Sequence, residues 1–161
     1  MTFSPNPSTT AKLNKPVLQK GSTGEAVKEL QNLLNHYNSY NIPVDGVFGD
    51  TTKNEVISFQ NRMFLLKDGI VGDKTWQVLF KGAPVDMPTL KKGTKGDLVK
   101  RVQERMCITG DYQQSLSGIF DTDTEKAVKA LQKRTKLPID GVVGERTWFE
   151  LGKIDPSVGG C

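Results

Sequence analysis

The sequence repeats itself, and this repeat limits the possible folds more than any other feature of the chain. When the 161 residues are shifted by 72 positions, residues 16–79 align with residues 88–151 without a gap and share 23 identities in 64 positions. Unrelated segments of this composition would share far fewer. Self-similarity at a fixed spacing indicates two copies of one structural unit, so we predict two small modules and not one larger core.

The boundaries follow from the ends of the repeat. We predict module 1 at residues 16–80 and module 2 at residues 88–152. The segment 81–87 between them contains Gly82 and Pro84 and precedes Pro88, which is typical of a linker. Residues 1–15 are rich in Ser, Thr, Asn and Pro and predict a disordered lead, and residues 153–161 predict a flexible tail.

Apolar residues recur at helical spacing three times in each module. The fold predicted is therefore all-α, with two tandem three-helix modules. The residues that define the three core stripes, with their counterparts in the second copy, are Val27, Leu30, Leu34 and Tyr37 (Val99, Val102, Met106 and Thr109), Val56 and Phe59 (Val128 and Leu131), and Trp76 and Leu79 (Trp148 and Leu151).

The start of the first helix and its outer face are also predicted. Ser22 and Glu25 have the spacing of a capping box, as have Thr94 and Asp97 in module 2. Leu33 aligns with Arg105, which predicts that this position faces outward.

Asp-Gly turns precede the second and third helices. Glycine permits the positive φ of a tight turn, and aspartate accepts hydrogen bonds within its own turn. The two apolar residues after each Asp-Gly pair are expected to pack under the helices. We therefore assign structural roles to the turn residues and to both tryptophans: Asp45, Gly46, Asp68, Gly69, Asp140, Gly141, Trp76 and Trp148.

The ordered motifs resemble the peptidoglycan-binding domain type 1 family. They are Leu18 to Gly24, Leu30-Gln31, Asp45 to Gly49, Phe59-Gln60 and Asp68 to Trp76, and the resemblance extends over both modules. It implies a compact three-helix module that holds cell-wall hydrolases or phage endolysins on peptidoglycan. Module 2 departs from the pattern where Ser117 and Asp121 replace an aspartate and a glycine, which leaves open whether both modules bind equally.

Composition excludes several other functions. The chain has one histidine and two cysteines, too few for a zinc site without carboxylates, and no catalytic residue set is recognisable. We expect no cofactor, no metal and no disulfide framework. The net charge of +4 is concentrated in module 2, but no interleaved aromatics suggest nucleic-acid binding, and no apolar run is long enough to span a membrane.

Polar or amphipathic residues identical in both copies are the candidates for ligand contact, because sugar faces, amides and carboxylates call for aromatic, amide and guanidinium partners. They are Tyr40, Gln60, Arg62, Tyr112, Gln132 and Arg134. For each, a structural role is the alternative, since a buried glutamine can instead satisfy loop backbone groups.

The function predicted is non-catalytic binding of peptidoglycan by a monomer. The resemblance implies a location outside the cell, in the wall or periplasm, beside a catalytic domain of a larger protein, although the N-terminal residues do not form a signal peptide. The alternative is a structural or protein-interaction module that keeps the fold without the ligand.

Overall fold

The computed structural model describes residues 14–38 and 41–156. This part of the chain contains six helices, which confirms the all-α fold of two three-helix modules. The helices are α1 (Glu25–Tyr37), α2 (Asp50–Arg62), α3 (Asp73–Lys81), α4 (Asp97–Thr109), α5 (Thr122–Arg134) and α6 (Glu145–Gly152). The chain divides into two compact units between Asp86 and Met87. Of the predicted lead and tail, only residues 14–15 and 153–156 are described.

Each module buries the apolar stripes that the repeat predicts. In module 1, α1, α2 and α3 enclose Trp76, whose side chain is fully buried among aliphatic and aromatic neighbours. The stripe residues are all buried except at the ends of the first helices, where Tyr37 is half-buried and its counterpart Thr109 is exposed. A small module therefore obtains its core from a few large side chains.

The extended segment before each first helix is tied to both turns. In module 1, Leu18 and Val71 exchange two backbone hydrogen bonds of 3.1 and 2.8 Å, and Thr23 forms a second antiparallel bridge with Val47. Module 2 repeats these contacts with Leu90 and Val143 and with Lys95 and Ile119. The segment thus fixes the positions of the turns relative to the helices.

The predicted capping boxes are wrong. Helix α1 begins at Glu25 with Gly24 as its N-cap, and no side chain caps it. Gly24 has a φ of 117°, a conformation that residues with a side chain rarely adopt. Ser22 therefore lies two residues before the N-cap, and its hydroxyl instead accepts a 3.1 Å hydrogen bond from the backbone N–H of Gln19.

The prediction that position 105 faces outward is also wrong. Arg105 is fully buried, although its counterpart Leu33 is only half-buried. The position lies three residues after Val102 and one before Met106, at the edge of the buried stripe of α4. The whole side chain of Arg105, guanidinium included, is enclosed there, so a charged residue in one copy does not identify an exposed position.

The state of Cys107 differs from the prediction as well. Cys107, near the end of α4, is disulfide-bonded. A place within a helical pattern does not prevent a cysteine from pairing, since its side chain is half-buried and reachable. Cys161, the other cysteine of the chain, lies outside the described residues.

Much of the predicted linker 81–87 packs on module 1. Lys81 is the last residue of α3, Ala83 and Pro84 are buried, and Val85 contacts the core. Asp86 forms a 3.0 Å ion pair with Lys74 of α3. Proline and glycine here end the helix and fold the chain back, so module 1 extends beyond residue 80.

Candidate functional site

A buried glutamine organises the turn between α2 and α3. The side-chain oxygen of Gln60 accepts a 3.0 Å hydrogen bond from the backbone N–H of Gly69. Its Nε2 lies 3.0 Å from an Asp68 carboxylate oxygen, 3.0 Å from the Ile70 carbonyl and 3.3 Å from the Thr75 hydroxyl. The amide of Gln60 therefore joins α2, the turn and the first residues of α3.

Gln132 makes the same contacts in module 2. Its oxygen accepts from the N–H of Gly141 at 3.0 Å, and its Nε2 donates to Asp140 at 2.8 Å, to the Val142 carbonyl at 3.0 Å and to the Thr147 hydroxyl at 3.1 Å. Both candidate glutamines are thus buried and bonded within their own modules.

Two further glutamines of this kind were missed by the sequence analysis. Gln31 is buried in α1, accepts from the N–H of Gly46 at 3.0 Å and donates to Asp45, to the Val47 carbonyl and to Thr52. Gln103 is its counterpart in α4. We call each set of glutamine, turn glycine and threonine a helix–turn clamp, and the described residues contain four.

A sequence signal for these clamps exists. In every case a threonine follows the turn glycine by six residues, and a glutamine identical in both copies precedes it. The glycine and threonine pairs are Gly46 and Thr52, Gly69 and Thr75, Gly118 and Thr124, and Gly141 and Thr147. The spacing assigns the hydroxyl and the amide to one polar cluster.

The turn carboxylates act as hydrogen-bond acceptors. Asp45 Oδ1 accepts from the Val47 N–H and from Gln31, both at 3.0 Å. The Val47 bond, and then the Gln31 bond, lower the pKa of Asp45 below its ordinary value. Equivalent bonds from Val142 and Gln132 lower the pKa of Asp140. These carboxylates are therefore held ionised inside their turns.

The divergent turn of module 2 has weaker contacts. Ser117 accepts from the Ile119 N–H at 3.2 Å and lies 3.4 Å from Gln103 Nε2, longer than the corresponding bonds of Asp45. Asp121, in place of Gly49, caps α5 by accepting a 2.9 Å bond from the Thr124 N–H. This bond is the main cause of the lowered pKa of Asp121. The substitutions thus exchange turn contacts for a helix cap.

Only the second apolar residue of each turn packs inward, which corrects the expectation that both do. Phe48 and Val71 are buried, whereas the side chains of Val47 and Ile70 are exposed. The bridge that Val47 forms with Thr23 is extended, and successive side chains of an extended backbone point to opposite sides.

Each candidate arginine lies at the end of the second helix of its module and contacts the end of the first helix or the loop that follows it. Arg62 Nη2 donates a 2.6 Å hydrogen bond to the Tyr37 carbonyl at the end of α1. Arg134 Nη2 forms a 2.6 Å ion pair with Asp111 after α4. The Arg134 side chain is nearly half exposed, with 48% of its surface accessible. It therefore has room for an external ligand.

Tyr112 is buried, and its hydroxyl donates a 2.8 Å hydrogen bond to the Ser115 carbonyl. This bond closes the loop after α4. The other candidate tyrosine, Tyr40, lies outside the described residues.

A pocket of about 230 Å³ lies beside Tyr112 in module 2. Its lining consists of the loop after α4 and the first turns of α5: Asp111, Tyr112, Gln113, Gln114, Asp123, Lys126 and Ala127. Tyr112 borders it directly, and Arg134 reaches it through Asp111. The structure thus brings two of the six candidates to one place and leaves Gln132 in the core.

Both tryptophans lie in the cores. Trp76 and Trp148 are 0% and 2% exposed. Their indole nitrogens donate to the carbonyl oxygens of Pro16 and Pro88, at 2.9 and 2.8 Å. Neither ring is available as a surface for stacking a sugar.

Residues 14–38 and 41–156 show neither a membrane-spanning helix nor a metal-binding cluster. None of their helices has the length and apolarity needed to cross a membrane. Residues 14–38 and 41–156 also contain no group of three or more His, Cys, Asp or Glu side chains placed to hold a metal ion.

The fold and its clamps define a protein built from two copies of one small helical domain. Residues 23–79 and 95–151 each match the family described as "Putative peptidoglycan binding domain". The two matches cover more than half of the chain, so the chain belongs to this peptidoglycan-binding domain family.

Individual relatives are cell-wall enzymes by name. A spore cortex-lytic enzyme of Bacillus cereus is 44% identical over 78 residues, which are 48% of this chain and 30% of the enzyme. A probable N-acetylmuramoyl-L-alanine amidase of Bacillus licheniformis is 28% identical over 153 residues, 81% of this chain and 43% of the amidase. The chain therefore spans less than half the length of these relatives.

A solved structure, the SleB N-terminal domain, is 42% identical to this chain with a TM-score of 0.41. The match covers 43% of this chain and 94% of that domain. The matched length corresponds to about one module.

Proposed function

We propose that this chain binds bacterial peptidoglycan without cleaving it. The observation that carries the proposal is the presence of two copies of a peptidoglycan-binding domain, matched over residues 23–79 and 95–151. Each copy retains its helix–turn clamps and its buried tryptophan. The scaffold that defines the family is therefore intact in both modules.

The turn carboxylates support a non-catalytic role. Asp45 and Asp68, the aspartates of the two Asp-Gly turns of module 1, each accept hydrogen bonds from a buried glutamine and from a backbone N–H of the same turn. A general acid needs a raised pKa to hold its proton near neutral pH, and that of Asp45 is lowered. Both groups serve the fold.

Among the candidate contact residues, we assign different roles to the arginines and the glutamines. Arg134 has an exposed side chain at the end of α5, and Arg62 is its half-buried counterpart in α2. A guanidinium at this position can bind a carboxylate of the wall peptide. Tyr112 shapes the adjoining pocket, and Tyr40 is the corresponding residue of module 1. Gln60 and Gln132 act indirectly, as positioning residues that hold the turns.

The setting in which the chain acts follows from its relatives. The named relatives are a cortex-lytic enzyme and an amidase, and the chain spans only 30% and 43% of their lengths. In our proposal the two modules work as a monomer beside a catalytic domain and hold it at the wall, outside the cytoplasmic membrane.

Sedimentation with insoluble peptidoglycan tests the proposal, with chitin and DNA as controls. We expect the chain to sediment with peptidoglycan alone and to leave the turbidity of purified sacculi unchanged. Arg134→Gln should weaken the binding, whereas Lys133→Gln, an exposed change of the same charge on the same helix, should not. A chain that stays in solution would favour the protein-interaction alternative, and clearing of the sacculi would reveal an enzyme.

A further inference from the structure

The pocket beside Tyr112 carries charges of both signs. Asp111 and Asp123 contribute carboxylates, Lys126 contributes an ammonium group, and Gln113 and Gln114 contribute amides. A pocket lined in this way suits a small ligand that itself has a positive and a negative group. Apolar packing or sugar stacking would require a different lining.

Part of this charge is unused within the protein. Asp123 and Lys126 lie three residues apart on α5, yet neither forms an ion pair with any residue of the described part of the chain. Asp111 uses its Oδ2 for Thr109 and Arg134, both at 2.6 Å. Its Oδ1 receives no hydrogen bond from residues 14–38 or 41–156, so it can accept one from a ligand.

The walls of the pocket are held in place. The buried ring of Tyr112 and its bond to the Ser115 carbonyl fix the loop, and the Arg134 ion pair fixes Asp111 against α5. A fixed arrangement of charges reduces the entropy lost when a ligand binds.

The volume of the pocket indicates which part of peptidoglycan it can hold. Pockets that enclose a drug-sized molecule have volumes of roughly 300 to 1,000 Å³, and this one has about 230 Å³. A disaccharide exceeds this volume and would extend out of the open mouth of the pocket. The end of one amino acid, with its ammonium and carboxylate groups, is of suitable size.

Module 1 lacks the same charges. The repeat places Thr51 and Asn54 where module 2 has Asp123 and Lys126. The uncharged pair cannot bind a zwitterion by ion pairing, so the two modules differ at this position.

From these observations we infer that the pocket of module 2 binds the zwitterionic end of a diamino acid in the wall peptide. The ligand's ammonium group lies against Asp111 and Asp123, and its carboxylate lies against Lys126. This inference rests on the proposed function and assigns a peptide subsite to module 2 alone.

The test is a titration of the isotope-labelled full chain with free meso-diaminopimelic acid, followed by NMR of the backbone amides. We expect saturable shifts at Gln113, Gln114 and Lys126, and none at Asn54. Cadaverine, which has the two amines without a carboxylate, should bind more weakly because it cannot pair with Lys126. Equal binding of the two probes would remove Lys126 from the site.

Exposed variants complete the test without disturbing the core. Lys126→Asn introduces the residue of module 1 and should weaken binding of the diamino acid two- to fivefold, the factor that corresponds to about 0.4 to 1 kcal/mol for an exposed ion pair. Lys133→Asn removes the same charge from α5 outside the pocket and should leave the affinity unchanged. Equal losses in both variants, or shifts centred elsewhere, would refute the pocket.

The two proposals can fail separately. A chain that sediments with peptidoglycan but shows no shifts with the diamino acid would retain the proposed function and lose this subsite. A chain that binds the diamino acid at the pocket but does not sediment would retain the subsite and lose the function.

Discussion

The indole nitrogen of Trp76 donates a hydrogen bond to the carbonyl oxygen of Pro16, 60 positions earlier in the chain and 2.9 Å away. Trp148 and Pro88 repeat this bond in module 2 at 2.8 Å. The last helix of each module is thus fastened to the segment that precedes its first helix. A complete module must therefore include the proline.

The position of a cut between the modules should decide whether module 1 is stable. We expect residues 14–86 and 87–161 each to fold into three helices, because the chain divides into two compact units at this point. A shorter first fragment that ends at Lys81 should melt at a lower temperature, since it lacks the buried Ala83 and Pro84. Circular dichroism measures the helix content of the two fragments and the melting temperature of the shortened one. Two unfolded fragments from a helical whole chain would contradict the independence of the modules.

Removal of a tryptophan should destabilise its own module only. Trp76→Ala should lower the free energy of unfolding of module 1 by about 3 to 5 kcal/mol, because a buried indole leaves a large cavity. Trp148 is then the only tryptophan in the chain, and its fluorescence reports module 2 during urea unfolding. We expect that transition to stay unchanged. A variant that keeps its stability but loses wall binding would show that Trp76 contacts the ligand.

Loss of a clamp glutamine should affect stability more than recognition. Gln60→Ala leaves the Gly69 N–H and the Asp68 turn without their buried partner. The free energy of unfolding should fall by about 1 to 3 kcal/mol for each buried group left unsatisfied. Urea unfolding measures the loss, and sedimentation at low temperature measures binding by the folded fraction. The exposed variant Asn54→Ala on the same helix serves as the control. A binding defect with full stability would make Gln60 a ligand contact.

Restoring the aspartate of the divergent turn should stabilise module 2. In Ser117→Asp, a carboxylate replaces a hydroxyl that lies 3.4 Å from Gln103. We expect a gain of about 0.5 to 1.5 kcal/mol, the usual net contribution of one hydrogen bond. The reverse change, Asp45→Ser, should lower the stability of module 1. A loss of stability in Ser117→Asp, or a gain in Asp45→Ser, measured by thermal unfolding, would show that the two turns are not equivalent.

Acid should loosen the first turn of module 1 through Asp45, whereas in module 2 the titrating group beside the turn is Asp121, which caps α5. Hydrogen bonding lowers the pKa of Asp45, so its stabilising effect is complete above the ordinary aspartate pKa of about 3.9 and is lost as the pH falls through the lower folded value. Ser117 does not titrate. The amide proton of Val47 should therefore shift in this acidic range in NMR, whereas that of Ile119 should not. Parallel shifts of both amides would indicate general acid unfolding.

The repeat predicted the helices well because core positions tolerate few changes. Val56 and Val128, for example, remain apolar in both copies and are both buried. The same comparison was wrong at Arg105, where it treated charge as a sign of exposure. A long side chain can bury its stem at the edge of a stripe, and sequence alone does not show how far that edge extends.

The candidate site was predicted less completely. Identity in both copies selected Gln60 and Arg62 with equal weight, although Gln60 is buried in a clamp and Arg62 is half-buried at the end of α2. A residue that is identical in both copies is under constraint, but the identity does not show whether the fold or a ligand imposes it. The pocket could not be found in this way, because Lys126 and Asp123 have no identical counterparts in module 1.

The clamps also determine which turn positions can be substituted without loss of the fold. Each uses a buried amide, a backbone N–H and a hydroxyl, and the first apolar residue of the turn contributes only its backbone. The exposed side chains of Val47 and Ile70 are therefore under little demand from the fold. Substitutions at these positions should therefore leave the clamps and the core unchanged.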